Sequence, residues 1–393
     1  MLLLSLLCHA EAHTLRSAIN RVSSARTPVV TADANAPPAN APTVDEELMA
    51  IRAPLRMLGP YPVLSLRFPS IPTPEQFREQ QKQTGESGVA LDFVVDTAAN
   101  VNTINAKLAA DLGLEAIGFD EGGVSAAGDL AGGTTFMLGS AQLNDLPKDE
   151  RFDFLSNLTA SALPVASPSG AGLLGIGFLF AFPGGVEFCW GDATAATAGG
   201  TAEAIDAAVP VPLGEAGPRP SLTMLGDLRG TEPLTSSLCE VPARQLESGL
   251  ICVTMCVNGV EIPSLLDTGS PITVLNAAAA AAAGVEPPPP EETGNNPFAK
   301  AKEAMQAAAA MASGEVAMIG GANGPVMLRK IPNKAPIRLG TAELGSGRPY
   351  VGELPGLAAL GGLGADAGPA AVLGTDVLRQ RKRLVLQDGK VFV

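Results

Sequence analysis

Two apolar runs of the chain end directly at an aspartate. Residues 89–95 (VALDFVV) lead to Asp96, and residues 263–266 (PSLL) lead to Asp267. Short apolar runs that stop at a turn-forming residue are typical of buried strands. An Ala-rich segment that ends at a glycine follows each aspartate, and such a segment predicts a short helix. The pattern therefore predicts the same strand, turn and helix in two places.

The two places are copies of one unit. The segment DTAANVNTINAKLAADLGL, which begins at Asp96, aligns without a gap over nineteen residues to DTGSPITVLNAAAAAAAGV, which begins at Asp267. Each copy continues with a Gly-rich hairpin candidate, GGVSAAGDLAGG in the first and VAMIGGANGP in the second. Each copy later has two apolar residues and a glycine, at residues 173–175 and 372–374. Internal repetition of this kind predicts two homologous lobes.

The repeat sets the predicted domain boundaries. An N-terminal lobe is predicted at residues 46–190 and a C-terminal lobe at residues 238–393, with an Ala/Gly/Pro-rich linker at residues 191–237 between them. The second copy is longer than the first, and a low-complexity insert at about residues 286–314 accounts for the excess. The basic run at residues 379–383 (RQRKR) is predicted to be the solvated end of a helix.

The first 45 residues predict a targeting segment and a disordered leader. The start, MLLLSLLCHAEA, has a short apolar core with no basic residue ahead of it, and the next segment carries three arginines, several hydroxyl residues and no acid. This composition favours an organelle transit peptide, for which we expect a plastid, and the secretory pathway is the alternative. The most apolar run farther along, residues 170–185, is shorter than the ~20 residues that a membrane span needs.

Charge and histidine content exclude several functions. The formal net charge of −14 at pH 7 disfavours a nucleic-acid partner and an anionic membrane surface. The two histidines, His9 and His13, both lie in the predicted leader. The rest of the chain therefore cannot build a Ser-His-Asp or Cys-His site, nor a His-based zinc site. Hydrolytic chemistry would have to use carboxylates or a Ser-Lys pair.

The chain contains two D-T-G/A motifs, and an apolar-apolar-Gly segment follows each of them. This arrangement resembles that of the aspartic proteases, the retropepsin-like and pepsin-like group. The resemblance covers the chain from about Pro62 to its last residue. It implies a mainly β, bilobal pepsin/retropepsin-like fold, with two pseudo-repeat lobes, one short helix in each lobe and a cleft between them. It also implies that each lobe supplies one catalytic aspartate, here Asp96 and Asp267.

The resemblance implies supporting roles for the neighbouring residues. Thr97 and Thr268 would hydrogen-bond across the lobe interface, and Gly269 would let backbone N–H groups approach the carboxylates because it has no Cβ. Two carboxyl groups this close share one proton, so that the ionised one activates water and the protonated one polarises the peptide carbonyl. The residues of the two supporting loops are Thr97, Ala98, Ala99, Thr268, Gly269 and Ser270.

The implied activity is that of an aspartic-type endopeptidase that acts on peptide or protein substrates without a metal or cofactor. A monomer suffices, because both aspartates lie in one chain. Ala98 departs from the family pattern, which has glycine there, so the alternative is a catalytically inactive protease-like protein that binds a peptide or a partner in an organelle. A third interpretation is a peripheral membrane factor that is anchored through Phe178, Phe180 and Phe182.

The two loops also differ one residue farther on, where Ala99 aligns with Ser270. A hydroxyl that donates a hydrogen bond to a carboxylate favours its ionised form. We therefore expect Ser270 to donate to Asp267, and we expect Asp96 to carry the shared proton.

Overall fold

The chain is mainly β. The computed structural model describes residues 3–5, 50–73, 78, 82, 85–125, 130–146, 148, 151–162, 170–191, 217–226, 232–287, 305, 308–319, 326–358, 360, 363 and 368–393. Nearly half of these residues belong to strands, and the helices are short.

The strands are numbered in chain order. They are β1 (Leu3–Ser5), β2 (Ala50–Pro54), β3 (Arg56–Leu58), β4 (Tyr61–Phe68), β5 (Val89–Val95), β6 (Thr103–Ile104), β7 (Ala116–Ser125), β8 (Leu130–Leu143), β9 (Leu155–Ser161), β10 (Gly172–Leu174), β11 (Gly185–Cys189), β12 (Ser221–Leu225), β13 (Glu240–Val241), β14 (Ala243–Gln245), β15 (Ile251–Val257), β16 (Val260–Leu266), β17 (Val274–Leu275), β18 (Val316–Ile319), β19 (Val326–Lys330), β20 (Ala335–Leu339), β21 (Ala342–Gly347), β22 (Tyr350–Val351), β23 (Ala371–Leu373), β24 (Arg383–Gln387) and β25 (Lys390–Phe392). The helices are α1 (Ala106–Asp111), α2 (Ile176–Leu179), α3 (Glu232–Thr235), α4 (Ala277–Ala282), α5 (Pro355–Ala358) and α6 (Thr375–Leu378).

The described strands form three sheets. The first sheet has the order β1-β7-β8-β9-β6-β10-β5-β4-β3, and β8 also pairs with β4, which closes part of the sheet on itself. The second sheet has the order β18-β19-β22-β17-β23-β16-β15-β20-β21, with β14 paired to β15. The third sheet has the order β13-β25-β24-β11-β12-β2. It combines strands from the beginning, the middle and the end of the chain.

The strands that lead to the two aspartates have equivalent neighbours. β5 lies between β4, which is antiparallel to it, and β10, which is parallel to it. In the second sheet, β16 lies between antiparallel β15 and parallel β23. β10 and β23 each pair on their other side with the short strand that follows the aspartate loop, β6 and β17 respectively. Both aspartate loops are therefore enclosed by the same arrangement of strands.

Local sequence signals explain the elements beside the loops. β5 and β16 bury the side chains of their last three residues, as expected for apolar runs that end in a core. The helices α1 and α4 begin after Asn105 and Asn276, whose side-chain oxygens accept hydrogen bonds from the backbone N–H groups of Leu108 and Ala279. The predicted helix after each aspartate is confirmed. The two hairpin predictions are confirmed as well, by the pairs β7–β8 and β18–β19.

A buried ion pair lies in the third sheet. The guanidinium of Arg383, on β24, donates to the carboxylate of Glu187, on the adjacent β11, and to the carbonyl of Leu234. Both charged side chains are buried. The prediction that the whole basic run at residues 379–383 is solvated is wrong for Arg383, because this cation has a buried carboxylate as its partner.

Parts of the predicted leader, linker and insert lie outside the described residues. In the leader, the described residues before position 46 are Leu3–Ser5, which form β1. Within the predicted linker at residues 191–237, the structure places the buried strand β12 and the helix α3, so this range is not a simple connection. In the insert at about residues 286–314, residues 308–312 are helical, as its composition predicts.

In the described part of the chain, no helix is both long enough and apolar enough to cross a membrane. The apolar run at residues 170–185 instead forms β10 and α2. Phe178 and Phe182 are buried in the core, and of the three phenylalanines considered as a membrane anchor only Phe180 is exposed.

Candidate active site

Asp96 and Asp267 follow the last residues of β5 and β16. The backbone N–H of Asp96 donates to the carbonyl of Leu174, on β10, at 2.9 Å, and the N–H of Asp267 donates to the carbonyl of Leu373, on β23, at 3.0 Å. Both aspartates are almost fully buried, with exposed fractions of 2% and 1%. The parallel strand beside each one thus fixes the position at which its backbone leaves the sheet.

The residues after the two aspartates bind each other. The N–H of Thr97 donates to the hydroxyl oxygen of Thr268 at 3.1 Å, and the N–H of Thr268 donates to the hydroxyl oxygen of Thr97 at 3.0 Å. The Thr97 hydroxyl donates in turn to the carbonyl of Leu266 at 2.8 Å, and the Thr268 hydroxyl donates to the carbonyl of Val95 at 2.7 Å. Four reciprocal hydrogen bonds therefore join the two loops.

The segments behind the loops also match. The N–H of Ile176 donates to the carbonyl of Ala99 at 2.6 Å, and the N–H of Thr375 donates to the carbonyl of Ser270 at 2.9 Å. The glycines of the two apolar-apolar-Gly segments precede these residues, and a Cβ on either Gly175 or Gly374 would lie 2.4 Å from a loop carbonyl oxygen. Any side chain at these positions would push the aspartate loops out of place.

Gly269 allows the second loop to approach Asp96. A Cβ at position 269 would lie 2.4 Å from the carboxyl carbon of Asp96, which is far closer than ordinary contact. The matching residue of the first loop, Ala98, is buried, and it is not among the residues with positive φ. Its N–H donates to one carboxylate oxygen of Asp96 at 2.8 Å. The alanine therefore occupies its position without left-handed backbone strain.

The surroundings of the two carboxyl groups differ. Asp96 accepts the hydrogen bond from Ala98, whereas no N–H or hydroxyl group of the described residues donates to either carboxyl oxygen of Asp267. The carboxyl group of Asp96 lies beside that of Asp267, and this proximity lowers the pKa of Asp96 and raises the pKa of Asp267. Two adjacent buried carboxyl groups avoid being charged together, and the N–H of Ala98, which favours the ionised form of Asp96, leaves the shared proton to Asp267.

Burial raises the pKa of both groups. For Asp96, burial raises the pKa to about 6, and the N–H of Ala98 opposes that rise. For Asp267, burial raises the pKa and the negative charge of Asp96 raises it further, well above the usual range. The N–H of Gly269 lies near both carboxyl groups and lowers the pKa of both aspartates, but by less than burial raises it. Near neutral pH the pair is therefore singly protonated.

The expected role of Ser270 is wrong. Its hydroxyl donates to the carbonyl of Ile272 at 2.8 Å instead of to Asp267. A carbonyl two residues away is within reach of a serine side chain in a turn, so this local bond forms in place of the expected one. The proton assignment that rested on Ser270 is reversed, because Asp96 has the hydrogen bond that favours the ionised form.

The structure brings together every residue of the two predicted loops. All six residues are buried where the two aspartate loops meet: Thr97, Ala98, Ala99, Thr268, Gly269 and Ser270. No group of three or more metal-ligating side chains occurs among the residues that the structure describes.

Sequence reasoning missed two neighbours of the site. Burial raises the pKa of the Tyr61 phenol, and the negative charge of Asp267 raises it further, which places Tyr61 within electrostatic reach of the pair. The hydroxyl of Thr375 donates to the carbonyl of Ser270 at 3.0 Å and so supports the second loop. Tyr61 begins β4, far from either motif, and no local signal marks it. Thr375 directly follows the second apolar-apolar-Gly segment, and its position there was the available signal.

No family model matches the chain, and no curated protein matches it. Among solved structures, the chain is similar to the crystal structure of a retropepsin-like aspartic protease from Rickettsia conorii, with 16% sequence identity and a TM-score of 0.25. The match covers 40% of this chain and 98% of that one.

Proposed function

We propose that the chain is an aspartic-type endopeptidase with a bilobal, pepsin/retropepsin-like fold. In this proposal the first sheet, apart from β1, is the core of one lobe within residues 46–190, and the second sheet is the core of the other within residues 238–393. The observation that carries the proposal is the pair of buried, neighbouring carboxyl groups of Asp96 and Asp267, on two loops joined by reciprocal threonine bonds. A structural role alone gives no reason to bury two acids against each other, since burial without a cation disfavours their charge.

The asymmetry of the pair supports a division of labour. Asp96, ionised and held by the N–H of Ala98, removes a proton from a water molecule, which attacks the peptide carbonyl carbon. Asp267 donates its proton to the carbonyl oxygen, and a tetrahedral diol forms. The proton taken up by Asp96 then passes to the leaving amine while the diol returns its proton to Asp267. The peptide bond is hydrolysed and the pair ends with one proton, as it began.

The proposed substrate is an extended peptide segment of a protein. The hairpins β7–β8 and β18–β19 present the exposed apolar side chains of Phe119, Met318 and Met327, with exposed fractions of 70%, 47% and 54%. Apolar side chains beside backbone donors and acceptors favour peptides that bind as an added strand with apolar residues near the scissile bond. The proposed enzyme acts as a monomer without a cofactor, because one chain carries both aspartates.

The test is cleavage of a diverse peptide library by the full chain between pH 4 and pH 8, with mass spectrometry of the products. The variants Asp96→Asn and Asp267→Asn remove one carboxyl each, and Asp153→Asn, at an exposed position, is the matched control. We expect the parent and the control to cut the same bonds, and each site variant to lose at least about 10²–10⁴-fold in kcat/KM.

Equal cleavage by the parent and both site variants would overturn the assignment of the pair. Peptide binding without cleavage by the parent would instead favour the non-catalytic alternative, a protease-like protein that binds a peptide or an organellar partner.

A plastid location stays a proposal that rests on the composition of the leader, and imaging of a C-terminal fluorescent fusion tests it.

A further inference from the structure

The hairpin β18–β19 has one buried face and one exposed face. Ile319 and Leu328 are buried in the core, with exposed fractions of 8% and 0%. Successive side chains of a strand point to opposite faces, so Met318 and Met327 lie on the other face, where they are 47% and 54% exposed. The exposed face of this hairpin therefore carries two methionines.

The two methionines are neighbours across the hairpin. The strand register places Met318 directly opposite Met327. Side chains at directly opposite positions have Cβ atoms about 4.5–5.5 Å apart and contribute to the stability of the strand pair. The solvated face of an antiparallel pair is usually polar, whereas here it presents two adjacent thioethers. A change in the polarity of either sulfur therefore acts on a contact that holds the two strands together.

Thioether sulfur is the group in this contact that mild oxidants change. A sulfur lone pair attacks one oxygen of hydrogen peroxide, the S–O bond forms and the O–O bond breaks, and the other oxygen leaves as water with both protons. The sulfur loses two electrons and the peroxide gains them. The product, methionine sulfoxide, is polar and chiral, and thiol-dependent reductases convert it back to methionine.

Other methionines of the chain provide internal references. Met224, on β12, and Met255, on β15, are both 0% exposed, so peroxide does not reach them in the folded chain. Met311 is 43% exposed, as the hairpin pair is, but it lies in the helical residues 308–312, outside the hairpin. Oxidation of Met311 therefore adds a sulfoxide without changing the contact between β18 and β19.

We propose that Met318 and Met327 form a peroxide-sensitive pair, and that their oxidation to sulfoxides loosens the hairpin β18–β19 and lowers the affinity of the protein for apolar peptides. Two sulfoxide dipoles replace an apolar contact between the strands, and the exposed face of the hairpin becomes polar. Reduction of the sulfoxides reverses both effects. The part that concerns peptide affinity rests on the proposed function, whereas the part that concerns the hairpin does not.

The modification is tested by treating the full chain with limiting hydrogen peroxide and mapping the sulfoxides by mass spectrometry. We expect Met318 and Met327 to be oxidised at least about ten-fold faster than Met224 and Met255. Equal rates at all four positions would overturn the assignment of the site.

The loosening is tested by hydrogen–deuterium exchange of the β18 and β19 amides before and after oxidation. We expect exchange about two- to five-fold faster after oxidation in the parent, the size expected for loss of one cross-strand pair. The matched variants are Met318→Leu/Met327→Leu, which should show no change on peroxide treatment, and Met311→Leu, which should respond as the parent does. Treatment of the oxidised parent with methionine sulfoxide reductases should restore the slower exchange. Unchanged exchange in a parent with both sulfurs oxidised, or the same change in the double leucine variant, would overturn the proposal.

The effect on peptide affinity is tested by the ratio of KM after and before peroxide treatment, for an apolar peptide that the parent cleaves. We expect KM to rise several-fold in the parent and in Met311→Leu, with kcat nearly unchanged, and to stay constant in the double leucine variant. All three chains contain the same cysteines, so a rise that the double leucine variant shares would assign the effect to thiol oxidation and overturn this part. Absence of cleavage before treatment would count against the proposed function, and the exchange experiment would still decide whether oxidation loosens the hairpin.

Discussion

Thr97 and Thr268 each donate a backbone hydrogen bond to the side-chain oxygen of the other, at 3.1 and 3.0 Å. Each hydroxyl then donates to a carbonyl of the opposite strand, Leu266 for Thr97 and Val95 for Thr268. All of these groups are buried, so each bond satisfies a donor and an acceptor that water cannot reach. The reciprocal bonds fix the distance between the two loops and therefore between the two carboxyl groups.

The first prediction concerns these threonines. Thr97→Val keeps the shape of the side chain but leaves the N–H of Thr268 and the carbonyl of Leu266 buried without a partner. We expect a loss of about 1–3 kcal/mol of unfolding free energy for each such group, measured by urea denaturation. Thr97→Ser keeps the hydroxyl and should lose only about 1 kcal/mol, for the missing methyl group. A valine variant as stable as the serine variant would show that the bonds contribute little.

The second prediction concerns the close approach of Gly269 to Asp96. Gly269→Ala places a methyl group where the Asp96 carboxyl now lies, so the carboxyl must move. We expect kcat/KM to fall by about 10²-fold or more, because a displacement of about 1 Å at reacting groups has an effect of this size. The control is Ala98→Gly, which keeps the N–H that bonds Asp96 and should retain activity. Full activity in Gly269→Ala would contradict the geometry described for this contact.

The third prediction links the acids to stability. Their pKa values are raised in the folded chain, so the folded state holds protons that the unfolded state releases above about pH 4. Stability from this source is complete below about pH 4 and is lost as the pH rises through the pKa values of the folded pair, which begin at about 6. Asp267→Asn removes the carboxyl group at this position, and with it the part of the pH-dependent loss of stability that comes from Asp267. We expect its Tm to exceed that of the parent at pH 8 by several degrees, and by much less at pH 4.5, in scanning calorimetry.

An opposite trend, with the asparagine variant gaining most at low pH, would mean that Asp267 is stabilised as an anion. Asp153→Asn, at an exposed position, serves as the control and should show no pH-dependent difference from the parent.

The fourth prediction concerns the buried pair of Glu187 and Arg383 in the third sheet. Glu187→Gln leaves a buried cation without its counter-charge, and we expect a loss of about 3–5 kcal/mol of unfolding free energy. Glu187→Leu combined with Arg383→Met removes both charges and should be much less destabilising, because an apolar pair of similar volume needs no compensation. If the double variant is as unstable as the single one, the pair contributes through other contacts, such as the bond from Arg383 to the carbonyl of Leu234.

Local signals were enough to predict the elements around each aspartate. The apolar runs before Asp96 and Asp267 and the asparagine caps of α1 and α4 act within a few residues, so they can be read from the chain. The third sheet could not be predicted, because β2, β11, β12 and β24 come from distant parts of the sequence. β12 is a five-residue strand next to Ala-, Gly- and Pro-rich sequence, and only its pairing with β11 and β2 explains it.

The electrostatic details depend on partners that a sequence does not show. Arg383 appears in a basic run, yet its partner Glu187 lies 196 positions away. The Ser270 hydroxyl was expected to face Asp267, but a nearer carbonyl accepts its hydrogen bond. For Ser270 the residue type predicted a hydrogen-bond donor and the nearest acceptor decided the partner, whereas for Arg383 the predicted solvation was wrong because a buried carboxylate lies beside it.

The central claim is that Asp96 and Asp267 share one proton near neutral pH. The most direct test is a carbon-13 NMR titration of the full chain with label at the side-chain carboxyl carbons of aspartate, with Asp96→Asn and Asp267→Asn used to assign the two signals. We predict that the two signals respond to each other, with a first step near pH 6 and a second well above it. Two independent titrations near the ordinary aspartate value of about 4 would contradict the claim.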